Sequence, residues 1–183
     1  TDRGGDEIFD HGTLQRIGDH QRRAGEEVCA HIRRNAAFEV AVARDHRGGD
    51  EAVLDQVRPV FASYADPIVH LGDVGSGQVT KLLNNLLFTA NLATARTTLA
   101  LGEALGIAPT NLSEVITRGS ANSFALGSIA RFGGSLDVLK QVAAELLHKD
   151  VSLIAGIAEK AGVAPGAVLD AADAALVLMN NPR

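Results

Sequence analysis

The stretch Gly75-Ser76-Gly77-Gln78-Val79-Thr80-Lys81-Leu82-Leu83-Asn84-Asn85 decides how the rest of this chain is read. Two small residues and a turn lead straight into a long apolar run, which marks the start of a helix. Lys81 and Asn85 are four apart, so both project from the same side of its first turns. A lysine at the positive end of a helix, in apolar surroundings, is electrostatically disfavoured as a cation. That placement suits a group that takes up and releases a proton. Asn85, one turn on, offers a donor and an acceptor with which to orient a substrate. Lys81 is therefore a candidate acid/base and Asn85 its candidate substrate-binding partner.

Reading outward, the pattern stays helical from Gly77 almost to the end. The first helix is expected over 78–105, roughly 40 Å at ~1.5 Å per residue, closed by Gly106. A short helix follows over 111–118, begun by Thr110. Residues 119–135 are broken by glycine and serine. One or two helices cover 136–161 and end at Gly162, and the last helix covers 165–179. Upstream, Thr13 caps a helix that ends at Gly25, Val28 begins a short strand, and FEVAVA at 38–43 alternates as a strand does. Arg47-Gly48-Gly49 is a turn, and Asp50 caps a helix to about Tyr64 with Pro59 as a flaw inside it. PIVHL at 67–71 reads as another strand. The order helix, strand, strand, helix, strand is a portion of an α/β domain. Charge supports a boundary: residues 1–66 carry 22 charged side chains and residues 67–183 carry 17. The expected fold is mainly α, with an incomplete α/β segment over 1–71 and an all-helical domain over 72–183.

Composition narrows the function classes. The chain is 46% hydrophobic but only 4% aromatic, so its core is built from Ala, Leu, Val and Ile, as in helix-rich proteins with close contacts. A net charge of −5 argues against a general nucleic-acid binder. Residues 105–119 have the outline of a helix-turn-helix, but Arg118 is their only basic residue, and phosphate contacts need several. Cys29 is the single cysteine, which excludes an internal disulfide and points to a reducing cytoplasm. The first ten residues hold Asp2, Arg3, Asp6, Glu7 and Asp10 and no apolar run, so no signal peptide is expected. Leu82 to Leu101 is long enough to raise a membrane span. Asn84, Asn85, Asn91 and Arg96 would be expensive in lipid, and a buried helix is expected instead. Six scattered histidines give no metal-ligand spacing. The letters Gly-Gly-Asp-Glu at 4–7 and 48–51 are similar to the signature of diguanylate cyclases, but without its surrounding fold they are coincidence.

Three pieces of the chain, taken in order, carry a family resemblance. The first is His70-Leu71-Gly72-Asp73-Val74-Gly75-Ser76-Gly77, followed by Lys81 and Asn84-Asn85. The second is Glu103-Ala104-Leu105-Gly106-Ile107-Ala108, with Gly119-Ser120 after it. The third is Leu146-Leu147-His148-Lys149-Asp150-Val151-Ser152-Leu153, leading to Ala158 and Gly162-Val163. The run from Asp66 to about Ala175 resembles the C-terminal domain of the β-hydroxyacid dehydrogenases. These include 3-hydroxyisobutyrate dehydrogenase, tartronate semialdehyde reductase and, more distantly, 6-phosphogluconate dehydrogenase. The resemblance implies a 6-phosphogluconate dehydrogenase C-terminal-like helical fold, NAD or NADP as cofactor, and a small hydroxy acid or its carbonyl as substrate. It makes Lys81 the catalytic residue, Asn85 and Gly77 substrate contacts, and Lys149 of the Lys-Asp pair a cofactor contact. Asn84 is read as a buried structural amide. Helical domains of this family pack in dimers, so a homodimer is expected, with neither nucleic acid nor membrane as partner.

The chain also departs from the family. No G-x-G-x-x-G turn, which would cradle a cofactor pyrophosphate, occurs anywhere in it. Residues 13–71 match only the last portion of the family's nucleotide-binding domain. Where the family reads D-A-P-V-S-G-G, this chain has Cys29-Ala30-His31-Ile32-Arg33-Arg34-Asn35. Arg33 and Arg34 suit an anion, but loss of the loop's role is favoured. The alternative to an enzyme is a catalytically inactive helical dimerisation module or a truncated remnant of such a dehydrogenase.

Overall fold

The computed structural model describes residues 51–63 and 68–183. Within them lie seven helices and no strand: α1 (Glu51–Phe61), α2 (Ser76–Ala104), α3 (Pro109–Thr117), α4 (Phe124–Ala130), α5 (Asp137–Val142), α6 (Ala144–Lys160) and α7 (Ala167–Leu178). The expected mainly α, multi-helix architecture is the one observed. The upstream helix at 13–24, the strands at 28 and 38–43 and the turn at 47–49 fall outside the described residues.

The 29-residue α2 is the spine of the fold. Gly75, at φ 97°, turns the chain into it from a left-handed conformation that L side chains resist. No proline interrupts it. At its far end Gly106 again takes a positive φ. Its N–H bonds to Glu103 O at 3.0 Å, and that of Ile107 to Gly102 O at 2.9 Å. This pair of bonds is a Schellman stop, and the same pair closes α6 at Gly162 and α7 at Asn180.

α2 packs most extensively on α7 and α6, with α4 and α3 completing its cover. Leu86, Leu92 and Leu99 of α2 are buried with Leu147, Val151 and Ile154 of α6 and Ala172, Ala175 and Leu176 of α7. The alanines bring helix backbones close, which is how a core with few aromatics reaches full density. Phe88 and Phe124, one tilted pair with ring centroids 5.9 Å apart, bridge α2 and α4. A Cβ at Gly102 would lie 2.2 Å from Leu112 Cδ2, so a glycine is what lets α3 seat against α2. No described helix is long and apolar enough to cross a membrane.

Several sequence expectations shift. α3 begins at Pro109, two residues before the expected start at 111, because proline is at home in a first helical turn. α4 lies inside 119–135, which reads as broken. Ser123, extended at φ −148°, accepts the N–H of Leu126 at 3.1 Å, and Ala125, Leu126 and Ile129 then enter the core. Capping and burial outweigh the low helix propensity of Gly127 and Ser128. The one or two helices expected over 136–161 are two, divided at Ala143, whose φ of −134° is not helical. Residues 68–71 form no strand, and the carbonyl of Ile68 accepts Arg58 Nη1 of α1 at 3.2 Å.

Candidate active site

On α2 the buried residues Leu82, Asn85, Leu86 and Thr89 follow the i, i+3, i+4, i+7 spacing of a core-facing stripe. On α6, Leu147, Asp150, Val151 and Ile154 do the same. The α2 stripe thus carries two polar residues, Asn85 and Thr89, and the α6 stripe one, Asp150. The packing of α2 on α6 brings Asn85 and Asp150 together: Asn85 Nδ2 donates to Asp150 Oδ2 at 2.7 Å across 65 positions of sequence. Lys81, one turn before Asn85, places Nζ 3.6 Å from the same Oδ2. Lys149 approaches from the other side, with Nζ 3.5 Å from Oδ1.

Asp150 is 1% exposed and the Lys81 side chain 17%. An isolated carboxylate so deeply buried would be prohibitively unfavourable. Two ammonium groups and an amide compensate it here. A carboxylate only accepts hydrogen bonds, so the Asn85 amide must turn its NH₂ toward Asp150. Its Oδ1 is then left to accept from Asn84 Nδ2 at 3.2 Å. Thr89 Oγ1 donates to the Asn85 backbone carbonyl at 2.7 Å and fixes that turn of α2 from below. Asp150 Oδ1 is buried without a hydrogen-bond partner.

Of the four sequence-derived site residues, Lys81, Asn85 and Lys149 converge on Asp150. Gly77 is buried in the first turn of α2, one turn before Lys81. Asn84 corrects an expectation. It is exposed, and its neighbour Asn85, 4% exposed, is the buried amide. The reason is register: Asn85 shares the stripe of Leu82 and Leu86, and Asn84, about 160° from each of those leucines, faces away from it. Asp150 itself is the residue that sequence reasoning passed over, although it stands in the Lys149-Asp150 pair. Its signal was an acid on the apolar stripe of α6. Among the described residues no group of side chains could hold a metal ion.

Such an arrangement can hold a lysine in a defined position, exchange its proton with a bound molecule, and keep a surplus positive charge beside it. A family model described as the NAD-binding domain of NADP-dependent 3-hydroxyisobutyrate dehydrogenase matches residues 75–177, which contain every member of the cluster. The chain belongs to this family. Within it, the chain is 36% identical over 107 residues to 2-(hydroxymethyl)glutarate dehydrogenase of Eubacterium barkeri, covering 58% of this chain and 36% of that protein. It is 33% identical over 113 residues to the NAD-dependent L-serine dehydrogenase of Pseudomonas aeruginosa, covering 58% and 38%. Among solved structures, that of Mycobacterium tuberculosis 3-hydroxyisobutyrate dehydrogenase with L-serine aligns with a TM-score of 0.58 at 28% identity, covering 69% of this chain and 46% of that one. The chain thus matches less than half the length of these relatives. The family description agrees with the expected cofactor, NAD or NADP, and with the helical 3-hydroxyisobutyrate dehydrogenase-type fold.

Proposed function

We propose that this chain supplies the acid/base side of an NAD(P)-dependent oxidoreductase of the β-hydroxyacid dehydrogenase type, which oxidises a hydroxy acid or reduces the matching carbonyl. The observation that carries this is the meeting of Lys81, Asn85 and Asp150 between α2 and α6. Lys81 Nζ takes the hydroxyl proton when the substrate is oxidised and returns it to the carbonyl oxygen when it is reduced. Asp150 holds that nitrogen in place. Asn85, its amide fixed by Asp150 and Asn84, keeps one N–H and one lone pair with which to orient the substrate. Gly77 lines the same end of α2. Two lysines against one carboxylate leave a net positive charge, which favours an anionic substrate such as a carboxylic acid.

The residues present fit the reacting end of a nicotinamide dinucleotide. Lys149 is 58% exposed and cationic, and a buried oxygen without a hydrogen bond lies beside it. Lys149 would hold the cofactor, which carries the hydride when bound. In this proposal residues 72–183 are the catalytic and dimerisation domain, and residues 1–71 are the end of a nucleotide-binding domain. A homodimer is supported by Leu83, Leu87, Leu101 and Leu105. All four are exposed and, at ~100° per residue, share one narrow stripe along α2 and its C-terminal cap residue Leu105. A cytoplasmic setting goes with the single cysteine.

A second reading is an inactive helical dimerisation module or a remnant of such a dehydrogenase. Calorimetric titration of the 183-residue chain with NADH and with NADPH separates the two. Micromolar binding of either supports a cofactor site assembled here. No binding of both would leave the remnant.

A further inference from the structure

The two oxygens of Asp150 are used unequally. Oδ2 accepts the Asn85 amide at 2.7 Å and faces Lys81 at 3.6 Å. Oδ1 has no hydrogen bond and lies 3.5 Å from the Lys149 ammonium. The carboxylate is therefore divided between a sheltered lysine and an exposed one. With Asp150 1% and Lys81 17% exposed, solvent screens the attraction between them little, whereas the attraction to Lys149, 58% exposed, is screened more. Lys81 and Asn85 are held on the buried stripe of α2. Lys149 sits at the edge on a flexible stem and is the member that can leave.

We propose that Asp150 is a shared counter-ion through which an anionic group engaging Lys149 changes the hold on Lys81. While Lys149 sits over Oδ1, part of the carboxylate's charge is neutralised from that side. An incoming phosphate or carboxylate that takes the Lys149 ammonium leaves the carboxylate to Lys81 and Asn85. The Lys81 cation is then held more tightly and presented as a proton donor. The two ends of the site are linked without movement of either helix, and the anion at Lys149 primes the acid before the second ligand arrives. The catalytic meaning of this coupling rests on the acid/base role proposed for Lys81, but the coupling itself does not.

With only four lysines, at 81, 140, 149 and 160, the chain suits lysine-selective ¹³Cε labelling. Spectra of the full chain, without cofactor, are compared for wild type, Lys149→Gln and Lys149→Arg. The Lys81 signal is expected to move by more than its line width in Lys149→Gln and to return toward wild type in Lys149→Arg, while Lys140 and Lys160 stay still. In an Asp150→Asn background the Lys149→Gln displacement of Lys81 should vanish. An unmoved Lys81 signal in Lys149→Gln, or one that moves equally with Asp150→Asn, overturns the proposal. Should Asp150→Asn fail to fold, the contrast between the Gln and Arg variants decides alone. Cofactor binding is not a readout here, so failure of the dehydrogenase reading would show only in the NADH and NADPH titrations.

Discussion

Both halves of α2 put residues into the core, but they bury different things. Asn85 and Thr89 lie among Leu82 and Leu86 in one half, with Lys81 at its edge; Leu92, Ala93 and Leu99 line the core side of the other. The apolar half is defined by volume, and any neighbour of suitable shape will do. The polar half is defined by partners: Asn85 and Lys81 are tolerable in a core only because Asp150 comes from α6 to meet them. The polar cluster is therefore confined to one end of the helix pair, and the proposed chemistry goes with it.

The difference is testable by removing one anchor from each half. Asp150→Ala strips the counter-charge from a sheltered lysine and a donor's acceptor at once. It should destabilise the fold by about 3–5 kcal/mol, with the Lys81 resonance displaced as well. Asp150→Asn, which still offers Asn85 an acceptor, should lose less. Urea unfolding measures both. Leu92→Ala opens a cavity in the apolar half and should cost about 3 kcal/mol in the same titration, but leave the Lys81 signal unmoved. If Leu92→Ala disturbed Lys81 as strongly as Asp150→Ala does, the two halves would not be independent.

Smaller effects are expected away from both. Ser123→Ala removes the acceptor that starts α4 and should lower stability by about 1 kcal/mol. Arg183→Ala breaks the two-bond pairing with Asp173, at 2.7 Å for each bond. Those hydrogen bonds push the guanidinium pKa above its ordinary value, against the opposing effect of burial. The pair stands at a partly exposed chain end, so its loss should cost less than about 1 kcal/mol.

How much of this was legible in sequence follows the same division. The helices of the apolar half could be read because periodicity and glycine stops are local: α2 was expected over 78–105 and runs Ser76–Ala104, closed as expected at Gly106. Lys81 and Asn85 could be paired because four residues of helix put them on one side. What could not be read locally was their partner, since Asp150 lies 65 positions from Asn85 and only packing joins them. Its trace was an acid among Leu147, Val151 and Ile154, where periodicity alone leaves no room for one. The exchange of Asn84 for Asn85 as the buried amide was also readable, had each been set on the stripe of Leu82 and Leu86. α4 was missed because glycine and serine signal a break, whereas Ser123 serves there as a cap.

The most direct measurement compares wild type with Lys81→Ala for hydroxy-acid turnover, with whichever nicotinamide cofactor the chain binds, alongside urea unfolding of both. Asn85 and Lys149 still accompany Asp150 in the variant, so the fold should survive. Turnover should fall by roughly 10²–10⁴-fold, the range of a lost acid/base. A folded Lys81→Ala chain with an unchanged rate would contradict the assignment of Lys81, and with it the view that the polar half of α2 is there for chemistry.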